Sequence, residues 1–553
     1  LAAGLAAVAG LVLMADAAWR SSATYDEVAY LRIAARWWRT GDQEAITRMG
    51  SPLTFWKLQQ VPTLWALDRL GAGPWIDDPI GHQADLLPVV RLGALWVWLA
   101  ALLATAAWAR LVYGPKATAL AAWLFALSPN LLAHGALATM ELPLLACTTG
   151  MFLLFWRFLH VGDRRAFWAC AALGGLAWSC KFTTVVVPPL LGLAWWIGEW
   201  RRDDGRSPGA RLLGPTLRVA GGMAGFLVVM AAADLVVTGF ALLPLSEGTG
   251  RHPSLDGRLG ATLGRVAARL IELPIPQDWV GFATQVRHQR SGGPSYLFGE
   301  RRLTGWWCYY FVAMAVKIPL ACWLLLLGRA LLGRRVSSAG GEGLILGSIA
   351  AFLALAALGS TRNYGFRYLL PLAPLAIVWV SGLAGASRPW RRLAWAGLAG
   401  QALAVAAIHP HELTYFNALA GGPDGGRRIL ADSNLDWGQG ARTLARLQRD
   451  RPELRDLTVY YFGDTDPAHY GVVGRRLVID AGEVHPGLPD RFEARTPYVA
   501  VSVSLRWGPW GPPGYFAALE GAEPVAFTDD RTVAIYRTSD LEFVTTRDRG
   551  RPG

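Results

Sequence analysis

Charge is scarce in this chain. Of its 553 residues, 17% are Asp, Glu, Lys or Arg, against about 25% in an ordinary soluble chain. Apolar residues make up 53%, and mean hydropathy is +0.28. Disorder is excluded as the main state, because it requires low hydrophobicity and high charge. Solubility along the whole length is excluded too. Cysteine is equally sparse: five in 553 residues rule out a disulfide scaffold. Cys147, Cys170, Cys180, Cys308 and Cys322 lie in or beside apolar runs with no CxxC pair, and read as small buried hydrophobes. A concentrated basic patch is also missing. The net charge of +12 is scattered through short gaps between apolar runs, whereas a nucleic-acid binder gathers its cations in a stripe. No nucleic-acid partner is expected.

What is abundant is long apolar sequence. Runs near the ~20 residues needed to cross a bilayer occupy 1–19, 88–109, 117–134, 138–159, 166–180, 183–200, 215–240, 306–328, 343–360, 368–386 and 391–408. They predict about eleven transmembrane helices. The run 166–180 is short, and Pro188–Pro189 interrupts its successor. If the first span runs outward, the short inside loops carry Arg110 and Lys116; Arg157, Arg164 and Arg165; Arg201, Arg202, Arg206 and Arg211; Arg329, Arg334 and Arg335; and Arg388, Arg391 and Arg392. All are basic, as the positive-inside rule requires. LMADAAW at 13–19 also imitates a signal cleavage site, and its use would leave ten spans with the same sidedness.

The expected organisation is a transmembrane domain, 1–408, and a small soluble α/β extracytoplasmic domain, 409–553. Two long outer loops, 20–87 and 241–305, belong to the first. In the first loop, 26–39 and 52–70 have apolar residues at helical spacing and read as helices lying on the membrane surface. The second loop is polar and rich in Gly and Pro, holds short helical pieces such as 259–271, and can cap a site. After 408, residues 437–450 read as a helix, and 457–462, 476–480, 498–505 and 532–537 as strands.

Ionisable groups at span ends are functional candidates, because charge is costly in a membrane. The outer ends carry Asp26, Glu27, Lys57, His134, Glu141, Lys181, Arg362, Asn363, Arg367, Tyr368, His409, His411, Glu412 and Asn417. Cations beside carboxylates fit transfer from a lipid phosphate. Lys and Arg stabilise the leaving group, and a carboxylate takes the acceptor's proton. The outer face has no nucleotide sugar, so the activated donor expected there is a polyprenyl-phosphate sugar.

Five stretches carry a family resemblance: TYDEVAYLRIAARWWRTGD (24–42), SPNLLAHGALATMELPL (128–144), LAWSCKFTTVVVPPLL (176–191), RNYGFRYLLPLAPLA (362–376) and HPHELTYFNALAGGPDGGRRILADSNLDWGQ (409–439). In this order they resemble the protein O-mannosyltransferase and aminoarabinose-transferase superfamily, and within it a bacterial subgroup described as glycosyltransferase-family-39-like. The resemblance covers about residues 1–440. It implies a GT-C fold, a site at the outer face, a polyprenyl-phosphate sugar donor and inversion. Asp26 matches the family's catalytic or acceptor-orienting aspartate, with Glu27 beside it. Glu141 matches a second acidic position, and Lys181 and Arg367 match phosphate-facing cations, to which Lys57 and Tyr368 are added. His409, His411 and Asn417 are placed at the acceptor side or the site's edge. The chain departs from its relatives at Gly50-Ser51-Pro52-Leu53, where a His-Pro-Pro or Lys-Pro-Pro segment is common.

Plainer readings compete at each position. Asp26 and Glu27 also suit the start of a helix. Glu141 precedes Pro143 at a span start, Lys181 can snorkel, and Arg367 can anchor at the interface. Asp432, Asn434, Asp436 and Trp437 suit capping and domain docking, with Asp436 capping the next helix. No cofactor is called for. His409, His411 and Glu412 leave a divalent metal open, although their spacing lacks the i, i+4 geometry of HExxH. The acceptor remains a glycan, a lipid or a protein. Two other functions stand beside the transferase: a transporter or flippase of lipid-linked sugars, and a non-catalytic membrane scaffold.

Overall fold

A computed structural model describes residues 1–42, 54–201, 208–249, 268–333, 338–359, 361–479 and 488–541. All eleven expected apolar runs are helical. Among the described residues, six helices are long and apolar enough to cross a membrane, or up to eight if each of two bent pairs is one span. The chain is an integral membrane protein. The three remaining runs form the 15-residue helix Arg164–Trp178, the short helix Leu372–Ser381, and Arg388–Ile408, which opens on three arginines.

The bent pairs have a local cause. Pro115–Ala126 meets Pro129–Gly135 at 61°, and Tyr309–Lys317 meets Leu320–Leu332 at 106°. Ser128 and Ile318 precede prolines and take ψ of 117° and 131°. A proline ring excludes its predecessor from helical geometry, so the helix stops there.

Four short strands lie between the spans. β1 (Leu242–Pro244) pairs antiparallel with β2 (Pro274–Pro276), and β3 (Ser295–Leu297) with β4 (Glu300–Arg302). Most of the expected helical piece 259–271 lies outside the described residues. The later chain forms one sheet from β5 (Leu457–Phe462), β6 (Arg475–Ile479), β7 (Tyr498–Ser502), β8 (Ala526–Phe527) and β9 (Val533–Arg537), in the order β6-β5-β7-β9-β8. β5 runs parallel to β6 and β7, and β9 antiparallel to β7 and β8. The run expected at 498–505 ends earlier as a strand, since Val503–Arg506 turns helical. The helix expected at 437–450 starts at Ala441, after Gly438 at φ +91° and Gly440.

The sheet is buried on both faces, and its alternation sorts them. Leu457, Val459 and Tyr461 join one core with Leu444 and Ala441; Tyr460 and Phe462 join another with Phe492 and Phe516. The first core corrects an expectation. Helix Tyr25–Thr40 does not simply lie on the membrane: its apolar face (Val28, Leu31, Ala34, Ala35) packs with Leu64 and Leu67 of helix Thr54–Arg69 and with the core beneath the sheet. Its apolar stripe is matched by protein rather than lipid. Helices Tyr25–Thr40 and Thr54–Arg69 therefore clamp the later chain to the membrane helices.

Candidate active site

Four charged side chains from four separate segments converge. Asp26 lies in the first turn of helix Tyr25–Thr40, and its Oδ2 accepts from Arg367 Nη1 at 2.8 Å. The same Nη1 lies 3.4 Å from Glu141 Oε1, which accepts from Lys181 Nζ at 2.9 Å. Tyr368 lies beneath both cations: Lys181 Nζ is 4.1 Å and Arg367 Cζ 5.6 Å from its ring centroid. Trp437 covers Arg367, with Cζ 4.2 Å from the ring. Arg367 is buried, which disfavours its charge, but Asp26 and Glu141 outweigh this and hold its pKa above the usual guanidinium range. Glu141 Oε2 is buried without a hydrogen-bond partner. Asp26 is the more open carboxylate, with 23% of its side chain exposed against 2% for Glu141.

Local sequence explains the placement. Thr24 and Glu27 form a capping box that starts the helix at Tyr25. The Tyr25 amide donates to the Trp437 carbonyl at 2.7 Å, and the Ser22 amide to the Gln439 carbonyl at 3.1 Å. The DSNLDWGQ segment therefore holds the backbone next to Asp26. Gly365 at φ +113° permits the turn that precedes the 3-10 helix Phe366–Leu369 and Arg367.

Lys181 and Tyr368 bring the cluster to a cavity of about 570 Å³. Its lining includes Lys181, Arg290, Arg362 and Tyr368 together with Val185, Val186, Phe282, Phe352, Leu355, Ala356 and Leu369. Helix Gln277–Ser291 supplies Phe282, Gln285, Val286, Gln289 and Arg290. Sequence reading passed over Arg290 and this helix, although the i, i+3, i+4, i+7 spacing marks one helical face.

The other candidates fall elsewhere. Glu27 corrects the expectation of an acidic pair at the site. Its Oε1 accepts from Arg91 Nε (2.8 Å) and the Ala138 amide (2.7 Å), and its Oε2 from Arg91 Nη2 (2.7 Å), the Thr24 amide (3.0 Å) and Thr24 Oγ1 (2.9 Å). Both charged side chains are fully buried. Burial raises the Glu27 pKa, but Arg91 and these donors outweigh it and keep it below the ordinary value. The carboxylate is committed to holding helices together. Asn417 likewise braces the 106° bend: its Nδ2 donates to the carbonyls of Ala315 (2.6 Å) and Ile318 (2.8 Å). His409 places Nδ1 2.5 Å from Glu412 and Nε2 3.1 Å from Asp16, so both ring nitrogens are engaged. His411 lines a small separate pocket beside Ala17 and Leu137. Among the described residues, no group of three or more His, Cys, Asp or Glu is arranged to hold a metal. The Lys57 side chain lies outside the described residues. Asp436 does not cap the following helix; it accepts from the amides of Ser504 (2.8 Å) and Gly438 (3.1 Å). Burial pushes its pKa up to about 7 despite those donors.

Comparison with known proteins adds one sequence-level finding. Residues 84–220 match the family described as dolichyl-phosphate-mannose-protein mannosyltransferase. The resemblance read from the sequence is met over that segment. Among solved structures, the chain is similar to ArnT from Cupriavidus metallidurans bound to undecaprenyl phosphate, at 14% identity over 98% of either chain with a TM-score of 0.46. It is also similar to the oligosaccharyltransferase of Archaeoglobus fulgidus in complex with Zn and sulfate, at 12% identity over 97% of this chain and 73% of that one, with a TM-score of 0.39. No curated protein matches.

Proposed function

We propose that the chain is an integral-membrane GT-C glycosyltransferase that moves a sugar from a polyprenyl-phosphate donor to an acceptor hydroxyl, with inversion. The observation that carries this reading is the Asp26–Arg367–Glu141–Lys181 cluster, whose Lys181 lines a cavity that also bears Arg290, Arg362 and many apolar side chains. An isoprenoid phosphate joins the same two characters. The family match over residues 84–220 agrees with it.

In this reading the Asp26 carboxylate takes the acceptor's hydroxyl proton. The freed oxygen bonds to the anomeric carbon from the face opposite the phosphate. The carbon–oxygen bond to phosphate breaks, and the electron pair leaves on the phosphate. Lys181, with Arg290 and Arg362, offsets the charge gathering there. Arg367 orients Asp26 through its hydrogen bond, and Glu141 holds Lys181 and Arg367 in register. The site lies at the extracytoplasmic face of a bacterial plasma membrane crossed eleven times, with residues 409–553 on that side.

The transport reading draws on the two broken helices, the sharper at Lys317–Leu320, since transporters bind substrates at such breaks. Lys317, however, spends its ammonium on the carbonyls of Leu413 (2.9 Å) and Asn434 (2.7 Å).

The test is reconstitution in proteoliposomes with a panel of radiolabelled polyprenyl-phosphate sugars. At least one is transferred by the intact protein, and Lys181→Met lowers the rate about 100-fold or more, as loss of a leaving-group cation does. A folded protein that transfers from none of them refutes the reading.

A further inference from the structure

Four aromatic rings run in series around the Asp26–Arg367 pair, and two come from the last third of the chain. Tyr25 stacks on Phe462 with centroids 5.6 Å apart and planes at 9°. Phe462 stacks on Trp510 at 5.9 Å and 10°. Trp510 meets Tyr364 at 6.1 Å and 46°. The series begins and ends on the ion pair, since Tyr25 adjoins Asp26 and the Tyr364 carbonyl accepts from Arg367 Nε at 3.2 Å. Asp432 is tied into this collar: its Oδ1 accepts from Trp510 Nε1 at 3.0 Å, and Ser433 Oγ donates to the Tyr364 carbonyl at 2.5 Å. Asp432 holds φ +58°, a left-handed conformation uncommon outside glycine, of the kind kept where surroundings over-determine it. Tyr25, Asp26, Tyr364 and Trp510 are all only partly buried.

We propose that this collar is the acceptor subsite and that the acceptor it takes is a carbohydrate, an inference that rests on the glycosyl-transfer reading above. A pyranose presents a flat C–H face and a rim of hydroxyls. Aromatic rings match the face, and carboxylates take strong hydrogen bonds from the rim. Phe462 is closed between Tyr25 and Trp510, and Arg362 Cζ lies 4.8 Å over the Tyr364 ring, so the partly exposed Tyr25 and Trp510 supply the ring face beside Asp26. A peptide acceptor needs a row of backbone donors and acceptors, as a strand edge provides; this collar is built of ring faces and carboxylates. Because Phe462 ends β5 and Trp510 lies between β7 and β8, the C-terminal sheet selects the acceptor while the membrane helices hold the donor.

The test uses the full chain in detergent, as wild type, Trp510→Ala and Trp510→Phe. Thermal shifts are titrated with methyl α-mannopyranoside, methyl β-glucopyranoside, a Ser/Thr peptide and undecaprenyl phosphate. At least one glycoside stabilises the wild type. Its apparent Kd weakens about ten-fold in Trp510→Ala and about two-fold in Trp510→Phe, as loss and retention of a stacking ring require. Undecaprenyl phosphate stabilises all three proteins alike. If Trp510→Ala fails to fold, Asp432→Asn takes its place with the same expected loss. The proposal is overturned if no glycoside binds, if glycoside binding is indifferent to Trp510 or Asp432, or if the peptide binds in their place. Undecaprenyl phosphate that binds none of the proteins, with glycoside binding still dependent on Trp510, removes the donor reading and leaves the collar proposal standing.

Discussion

Asp26 and Glu27 are adjacent in sequence, and neutralising each should break the protein in a different way. In Glu27→Gln, one oxygen becomes an amino group. Oε1 takes two donors and Oε2 three, so whichever way the amide turns, at least two buried donors face a third. Each lost buried bond costs roughly 1–3 kcal/mol, and Arg91 is left without its counter-ion. Together these amount to about 3–5 kcal/mol of stability, the usual cost of breaking a buried pair. Asp26→Asn keeps a carbonyl oxygen for Arg367, which still has Glu141 at 3.4 Å, so its cost is about 1 kcal/mol. Transfer, however, falls about 10²- to 10⁴-fold with the general base gone. The assay is thermal unfolding of the purified protein in detergent, paired with initial transfer rates normalised to folded protein. Glu27→Gln should lower Tm and keep its normalised rate; Asp26→Asn should do the reverse. A Glu27→Gln protein with wild-type Tm would refute the structural assignment. An Asp26→Asn protein with wild-type rate would refute the role of the base.

Ala356→Trp should fill the apolar part of the cavity and raise the KM for a long-chain donor about ten-fold, as occlusion of a pre-formed pocket does, with Tm little changed; an unchanged KM would place the isoprenoid elsewhere. His409 should make stability fall on the alkaline side. Its hydrogen bond to Glu412 raises its pKa most, against partial burial, and Asp16 adds to the rise. Its contribution is therefore complete below the unfolded value near ~6.5 and is lost as pH rises through the higher folded value. Tm measured against pH should show this decline in the wild type and lose that component in His409→Gln; identical profiles would refute it.

The pattern of apolar runs determined the helices, because a bilayer demands a minimum length of apolar sequence. The β-branched and aromatic residues of 457–462 likewise marked β5 as a strand, while packing decided that both its faces are buried. Residue type and position at span ends marked Asp26, Glu141, Lys181, Arg367 and Tyr368 as candidates. Their meeting was not readable, since it depends on contacts across as many as 341 positions of chain. Asp26 and Glu27 show the limit most clearly. Successive helical residues point about 100° apart, as 3.6 residues per turn requires, so one carboxylate reaches Arg367 and the other is sealed against Arg91. Which of two adjacent acids meets a cation in an open cleft, and which meets one in a closed core, was decided by what packs around the helix. The cysteines and the scattered charge told what kind of molecule this is; only the tertiary structure brought Trp437 over Arg367, Trp510 against Tyr364 and Arg290 to the cavity that Lys181 lines.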